Sequence, residues 1–131
     1  MATDLQHCVA AGVIVLDDDG RILAFARADK PGYALPCGHI DPGETAADAA
    51  IREAFEETGL VVTLDDAPPY VAFDPRGRKQ VATFRARVTG GALRDRDLVE
   101  GRPCWTQVAD VIDGPYGEYN RGALRHFGIA Y

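Results

Sequence analysis

The 131-residue sequence lacks long apolar runs and any excess of positive charge. No stretch approaches the roughly 20 apolar residues of a membrane-spanning helix, so we expect no membrane association. Acidic residues outnumber basic ones, 20 to 14, which gives a formal net charge of -6. A chain of this charge has no general attraction for a nucleic-acid backbone. We therefore expect no nucleic-acid polymer among its partners.

Cysteine is also scarce, with three residues at widely separated positions, Cys8, Cys37 and Cys104. An odd number without a CxxC pair predicts free thiols, and the three histidines add no spacing typical of a zinc site. The first residues, MATDLQHC, lack the basic and apolar zones of a secretory leader. These features favour a reducing compartment, most simply the cytoplasm.

The hydrophobic fraction of 47% is ordinary for a globular protein. No repeat, linker or low-complexity tract interrupts the chain, so we expect one domain spanning residues 1–131. Val9–Leu16 is almost continuously apolar and predicts a buried strand. Asp17–Gly20 is typical of a tight turn, and Arg21–Arg27 is then the returning strand of a hairpin. The acidic turn lacks the ligand spacing of a calcium-binding loop.

The remaining pattern predicts further strands, loops and one late helix. Strands are expected at Leu60–Leu64, Tyr70–Phe73 and Gln80–Val88. Loops or turns are expected at Ala28–Pro42, Asp74–Lys79 and Thr89–Gly91, and no element is predicted for Ala92–Pro103. One helical turn is expected at Val108–Ile112 and a final helix at Tyr119–Phe127. Together these elements predict an α/β fold with a mixed sheet between helices.

A central helix is predicted from Thr45 to Thr58, with Thr45 and Asp48 as its capping pair and Gly59 at its C-terminal stop. At 100° per residue, one face of this helix is the expected core stripe. That stripe comprises Ala47, Ile51, Ala54, Phe55 and Thr58.

The opposite face carries Glu53, Glu56 and Glu57, with Arg52 at its edge. Like charges about 6 Å apart repel by roughly 3 kcal/mol at an effective dielectric constant near 20. Either solvent relieves this repulsion on an ordinary acidic surface, or the carboxylates hold a cation. The spacing of the glutamates alone leaves both interpretations open.

The loop before the helix supplies a second signal. Gly38 is followed by five residues, Glu44, seven residues and the segment Arg52–Leu60, which reads REAFEETGL. This pattern resembles the signature box of the Nudix hydrolases, Gx5Ex7REUxEExGU, with Ala54 as the one mild departure at an aliphatic position. The resemblance implies an α/β/α sandwich with a mixed β-sheet between helices.

The resemblance also implies a chemistry: hydrolysis of a nucleoside diphosphate linked to another group, with Mg²⁺ or Mn²⁺ as cofactor. It implies that Glu56 and Glu57 are metal ligands and that Glu53 is a ligand or the general base. Arg52 and Glu44 are then expected to position these carboxylates. Two further metal ligands are expected by the same resemblance, the Cys37 backbone carbonyl and Glu100, although Glu100 also fits a solvated loop residue.

Substrate-binding residues follow less directly from the resemblance. Arg27 matches a position that contacts substrate phosphate, but it also fits an ordinary surface arginine. Phe73, like Phe25 and Tyr33, is a candidate for stacking on a base, and aromatic side chains on strands are commonly core residues. Asn120 matches a base-reading asparagine of relatives that act on oxidised dGTP, and helix N-capping explains it equally well.

The substrate class and the competing functions stay open from the sequence. The short chain, with Glu100 and Asn120, favours nucleoside triphosphates or oxidised dNTPs, whereas the Asp74–Gly77 turn favours substrates of the ADP-ribose type. The alternative to catalysis is a non-catalytic nucleotide-sensing Nudix domain, which typically loses box carboxylates. An isomerase of isoprenoid diphosphates is a third hypothesis. The resemblance makes a small-molecule nucleotide the expected partner and a homodimer a further expectation.

Overall fold

A computed structural model describes residues 5–131. The first four residues of the segment MATDLQHC, on which the expectation about a secretory leader was based, lie outside the described part. Eight strands, two α-helices and one 3₁₀ turn follow one another along residues 5–131. The strands are β1 (Cys8–Val15), β2 (Ile22–Arg27), β3 (Tyr33–Ala34), β4 (Cys37–His39), β5 (Leu60–Leu64), β6 (Tyr70–Phe73), β7 (Gln80–Gly91) and β8 (Gly101–Thr106). The helices are α1 (Ala46–Thr58) and α2 (Gly117–His126), with the 3₁₀ turn at Val108–Val111. Within residues 5–131 no helix is long and apolar enough to cross a membrane.

The strands form two sheets. A five-stranded mixed sheet has the order β4-β1-β7-β5, with β6 also paired to β7, and its β1–β7 pair is parallel. A three-stranded antiparallel sheet has the order β3-β2-β8. Helix α1 packs on β1, β4 and β5, whereas α2 packs on β6 and the 3₁₀ turn. The predicted α/β class with a mixed sheet is confirmed.

Strand β1 separates two hydrophobic cores because its side chains alternate between faces. Val13 and Val15 belong to the core that includes the α1 alanines, whereas Ile14 belongs to the core that includes Leu124 of α2. All three β1 side chains are fully buried. The strand is therefore apolar on both faces, as its sequence indicated.

The predicted hairpin of the first two strands is wrong. β1 pairs with β4 and β7, and β2 pairs with β3 and β8, so the two strands lie in different sheets and share only a Leu16–Ile22 bridge. The tight turn itself is present, because Asp17 Oδ1 accepts hydrogen bonds from the Asp19 and Arg21 backbone amides. A strand buried on both faces pairs along both edges, which a local turn signal does not specify.

Two other local predictions are wrong, and two are confirmed with shifted ends. The expected loop Ala28–Pro42 contains the short strands β3 and β4, and the expected turn Thr89–Gly91 continues β7. The segment Ala92–Pro103, for which no element was predicted, leads into β8. In each case pairing with a distant strand overrides glycine and proline signals. The predicted turn at Val108–Ile112 is the 3₁₀ turn, and the last helix starts two residues early, at Gly117.

Helix α1 has the predicted ends. Thr45 Oγ1 accepts a hydrogen bond from the Asp48 backbone amide, and Gly59 has φ 82°, the left-handed conformation of a C-terminal stop. The predicted core stripe is wrong at Phe55, which is 48% exposed and lies 5.8 Å from the Arg94 guanidinium. The buried positions of α1 are instead mostly alanine: Ala46, Ala49, Ala50 and Ala54, together with Thr58.

Candidate active site

Gly38 brings strand β4 into close contact with helix α1. A Cβ at this position would overlap the Glu53 carboxyl group, so only glycine fits without displacing that side chain. The neighbouring residues Cys37 and His39 pair with Gly12 and Ala10 of β1, which fixes this strand at the sheet edge. The Gly38 position of the motif therefore holds Glu53 against β4.

Arg52 organises the carboxylates around it. Its Nε and Nη2 atoms donate to the two Glu44 carboxylate oxygens at 2.8 and 2.9 Å. Its Nη1 donates to Glu53 at 2.8 Å and to Glu56 at 3.0 Å. A further hydrogen bond from Nη2 reaches the His39 carbonyl at 2.9 Å. One guanidinium thus ties α1 to Glu44 in the preceding loop and to β4, the positioning role expected for Arg52.

Glu44 forms the other half of this anchor. Hydrogen bonds from Arg52, and then the Asp41 backbone amide, lower the pKa of Glu44 from 4.5 to about 2. The Asp41 amide donates to Glu44 Oε1 at 3.0 Å, so Glu44 closes the Asp41–Glu44 turn before the helix. In return, the hydrogen bonds from Arg52 to the carboxylates of Glu44 and Glu53 raise the pKa of Arg52. Both residues therefore stay charged across the neutral range.

Glu57 has the most strongly perturbed carboxyl group of the site. Burial first, and then the charge of Glu53, raise the pKa of Glu57 from 4.5 to about 8. The Cys37 backbone N–H and the charge of Arg27 oppose this shift, and the charge of Glu100 adds to it. Its Oε1 atom is buried and has no hydrogen-bond partner among residues 5–131. A buried carboxylate oxygen without a donor is a typical ligand for a hard cation.

The three motif glutamates do not converge on one point in this structure. Within residues 5–131, no group of three or more His, Cys, Asp or Glu side chains has the arrangement of a metal site. The reason lies in Arg52, which holds the carboxylates of Glu53 and Glu56, the latter 55% exposed. The carboxylates of Glu53 and Glu57 are shielded from solvent and close enough for the charge of Glu53 to raise the pKa of Glu57, so both suit a bound cation. Glu56 could join them as a ligand only if its carboxylate gave up the hydrogen bond from Arg52.

A cleft of about 480 Å³ lies beside these carboxylates, with Arg27 and Cys37 in its wall. Four more basic residues line it, namely Lys30, Arg76, Arg78 and Lys79, with one acidic residue, Asp74. In a chain of net charge -6 this is a local concentration of positive charge that suits a phosphate group. These four basic residues were missed from the sequence, although the run Arg76–Lys79 was a visible signal inside a segment interpreted only as a turn.

Arg27 lies where the resemblance to the Nudix hydrolases implied, at the end of β2 and in the cleft wall. Its guanidinium is hydrogen-bonded to Asp29 at 2.9 Å. Glu100 is exposed, and its backbone carbonyl accepts a hydrogen bond from Ala28 at 2.9 Å, next to Arg27. The charge of Glu100 contributes to the raised pKa of Glu57.

The two candidate base-binding residues lie in different places. Asn120 lines the cleft, is 1% exposed, and donates through Nδ2 to the carbonyls of Tyr33 and Val111 at 3.0 and 2.9 Å. It lies inside α2, so the N-capping interpretation is wrong. Phe73 is 55% exposed and lines a second groove rather than the cleft, together with His39.

Comparison with known proteins gives the site its family. A family model described as NUDIX domain matches residues 6–127. A Bacillus subtilis (strain 168) protein, provisionally named as an 8-oxo-dGTP diphosphatase, is 42% identical over 86 residues, which cover 66% of this chain and 57% of that protein. The chain spans about half the length of the curated relatives that it matches.

Solved structures show the same fold. A Caenorhabditis elegans Ap4A hydrolase in a binary complex superimposes with a TM-score of 0.69 at 24% identity, covering 91% of this chain and 95% of that one. An ADP-ribose pyrophosphatase from Streptococcus suis 89-1591 superimposes with a TM-score of 0.71 at 18% identity, covering 96% of each chain. The match to the family model extends well beyond the signature box and includes both helices. The fold of the solved structures agrees with this match. This chain belongs to the Nudix family.

Proposed function

We propose that the protein hydrolyses a diphosphate bond in a nucleoside diphosphate linked to another group, in a reaction that depends on Mg²⁺ or Mn²⁺. The observation that carries this proposal is the buried, unpartnered Oε1 of Glu57 next to a basic cleft. A buried carboxylate oxygen kept without a donor costs stability, which a functional role explains better than a structural one.

The cleft supplies the binding part of the proposed reaction. Arg27, Arg76 and Lys79 are placed to contact phosphate oxygens, and guanidinium groups bind such oxygens through paired hydrogen bonds. Asn120 has both amide hydrogens committed to backbone carbonyls, so its Oδ1 is held as an acceptor for a donor on the base. Phosphates and base thus have separate parts of the cleft.

The proposed metal ligands are Glu53, Glu56 and Glu57, with the Cys37 carbonyl and Glu100 as additional oxygen donors. This all-oxygen set suits Mg²⁺ or Mn²⁺. A bound divalent cation neutralises phosphate charge and lowers the pKa of water. Arg52 and Glu44 hold the helix against the loop before it, and Glu53, which packs against Gly38, is proposed either as a metal ligand or as the general base.

The substrate is proposed to be a small nucleotide rather than a polymer. The relatives named above act, by their names, on an oxidised nucleotide, a dinucleotide and an ADP-ribose, and none of these assignments transfers to this chain at the observed identities. Cys8, Cys37 and Cys104 all lie among residues 5–131 and form no disulfide, which supports a cytoplasmic location, and a homodimer stays a proposal.

The test of this proposal is a hydrolysis assay with and without Glu57. Wild type, Glu57→Gln and the control Asp66→Asn are incubated with Mg²⁺ or Mn²⁺ and a panel of NTPs, oxidised dNTPs, ADP-ribose, NDP-sugars and dinucleoside polyphosphates. Asp66 is an exposed carboxylate in the loop between β5 and β6 and lines neither groove. We expect metal-dependent cleavage by wild type and the control, and none by Glu57→Gln.

Two outcomes contradict the proposal. Full activity of Glu57→Gln refutes the metal-ligand role, and undiminished activity in excess chelator refutes the metal dependence. Nucleotide binding by wild type without cleavage of any substrate supports the sensing alternative instead. Preference for triphosphates over ADP-ribose, or the reverse, decides between the two substrate branches.

A further inference from the structure

A second groove lies next to the cleft, and the proposed function does not use it. It has a volume of about 510 Å³ and its lining includes Val9, His39 and Phe73. Val9 is 44% exposed and Phe73 is 55% exposed, so the groove presents two large apolar side chains to solvent. An exposed aromatic next to an exposed aliphatic side chain offers a surface on which a planar ring can stack.

The groove and the cleft adjoin each other, because Arg78 and Lys79 line both of them. Along β4, Cys37 lines the cleft and His39 lines the second groove. Gly38, the residue between them, packs against the Glu53 carboxylate. The two recesses therefore share an edge at Arg78 and Lys79 and are lined by residues on either side of Gly38.

The charges at the junction suit a phosphate chain. Lys79 Nζ lies 3.1 Å from His39 Nε2, and because an ammonium group carries three hydrogens, at least two of them stay available to an anion. His7, Arg78 and Gln80 complete the second groove, and no acidic residue lies among its described lining residues. Arg78 and Lys79 thus lie where the basic cleft adjoins the apolar side chains of the second groove. This arrangement is complementary to a ligand whose phosphate chain carries a ring at its end.

We propose that the second groove binds a planar group at the far end of the phosphate chain, so that the preferred substrate is a dinucleoside polyphosphate. This inference rests on the proposed function in placing the phosphates in the basic cleft and one base beside Asn120, and it extends the phosphate chain to Arg78 and Lys79. One nucleoside occupies the cleft beside Asn120, and the second base stacks on Phe73 with Val9 beneath it. A nucleoside triphosphate ends in bare phosphate and leaves the surfaces of Phe73 and Val9 in water.

The test measures equilibrium binding of two non-hydrolysable probes in the presence of Mg²⁺. One probe is methylene-bridged diadenosine tetraphosphate, and the other is β,γ-methylene-ATP, which lacks the second nucleoside. Calorimetry gives the ratio of their dissociation constants for wild type, Phe73→Ala and the control Val61→Ala. Val61 is 41% exposed on β5 and lines neither recess, so its truncation is a matched loss of exposed apolar surface.

We expect wild type and Val61→Ala to bind the two-nucleoside probe about tenfold more tightly than the one-nucleoside probe, since base–aromatic stacking has that order of effect. In Phe73→Ala this ratio should fall close to one. Phe73 is more than half exposed, so its truncation opens no core cavity. A wild-type ratio near one, or a ratio unchanged in Phe73→Ala, overturns the inference.

Binding and hydrolysis separate this inference from the proposed function. A wild type that prefers the two-nucleoside probe but cleaves nothing with Mg²⁺ or Mn²⁺ supports the second groove and refutes catalysis. A wild type that cleaves nucleotides but shows a ratio near one supports catalysis and refutes the second groove. An NDP-sugar serves as a third probe in the same calorimetry. If wild type binds it more tightly than the dinucleoside probe, the assignment of a base to this groove is refuted.

Discussion

Replacing Glu57 with glutamine is expected to stabilise the metal-free protein at neutral and alkaline pH. Burial and the charge of Glu53 raise the pKa of Glu57 from 4.5 to about 8 in the folded state. In the unfolded chain the carboxyl group regains its ordinary pKa. Between these two pKa values the unfolded state has lost a proton that the folded state keeps, so the free energy of unfolding falls as the pH rises.

The size of this effect follows from the pKa shift. At about 1.4 kcal/mol per pH unit, a shift of this size corresponds to about 4 to 5 kcal/mol above the folded pKa. We expect roughly half of this, about 2 kcal/mol, because the side chain is only partly shielded from solvent. Glutamine does not ionise, so the Glu57→Gln variant avoids the penalty.

The assay is urea unfolding in chelator at about pH 5 and about pH 9, on either side of most of the transition. Wild type and Glu57→Gln should have similar stabilities at the lower pH, and the variant should be more stable at the higher pH. The control Asp66→Asn should follow wild type at both. A variant less stable than wild type at the higher pH, or a difference independent of pH, refutes the reasoning about burial of this carboxyl group.

Three further substitutions test the elements that hold the site. Arg52→Lys cannot keep the paired hydrogen bonds to Glu44 while reaching Glu53, so kcat should fall by about tenfold or more with little change in KM, and unchanged steady-state kinetics would count against the positioning role. Gly59→Ala forces a side chain into φ 82° and brings its Cβ against the Ala92 carbonyl oxygen, so it should cost more than the roughly 1 to 2 kcal/mol of the left-handed conformation alone in urea unfolding. An unchanged stability would contradict the left-handed C-terminal stop. Gly38→Ala displaces the Glu53 carboxylate and should lower hydrolysis far more than the unfolding midpoint, and full activity would show that Glu53 can move freely.

The motif and its helix could be predicted because their information is local. Thr45, Gly59 and the spacing of Glu53, Glu56 and Glu57 act within a few helical turns, and the structure has the helix between the two predicted caps. Phe55 was placed in the core because its angle on the helix lies at the edge of the stripe. The exposed position beside Arg94 depends on the segment after β7, which helical periodicity does not describe.

Strand pairing could not be predicted in the same way. The turn at Asp17–Gly20 indicated a hairpin, yet β1 pairs with β7, about 70 residues away, through a parallel register that starts at Cys8 and Gln80. Strand β8 begins at Gly101, with φ 150°, and contains Pro103, so its pattern is unlike that of an ordinary strand.

The cleft was missed for a related reason. Its basic side chains come from two separate segments, Arg27–Lys30 and Arg76–Lys79, which the fold brings together at one end of β7. Each segment on its own fits ordinary loop chemistry. The same holds for the second groove, where Phe73 joins residues from the start of the chain and from β4.

Direct binding of Mn²⁺ is the measurement that tests the central claim most closely, because it does not depend on knowing the substrate. Electron paramagnetic resonance of a Mn²⁺ titration reports free ion in the presence of wild type, Glu57→Gln and Asp66→Asn. We predict saturable binding to wild type and to Asp66→Asn, and a loss of affinity of about tenfold or more in Glu57→Gln. Equal affinity of all three proteins would contradict the claim that Glu57 Oε1, which has no hydrogen-bond partner among residues 5–131, is there to hold a divalent cation.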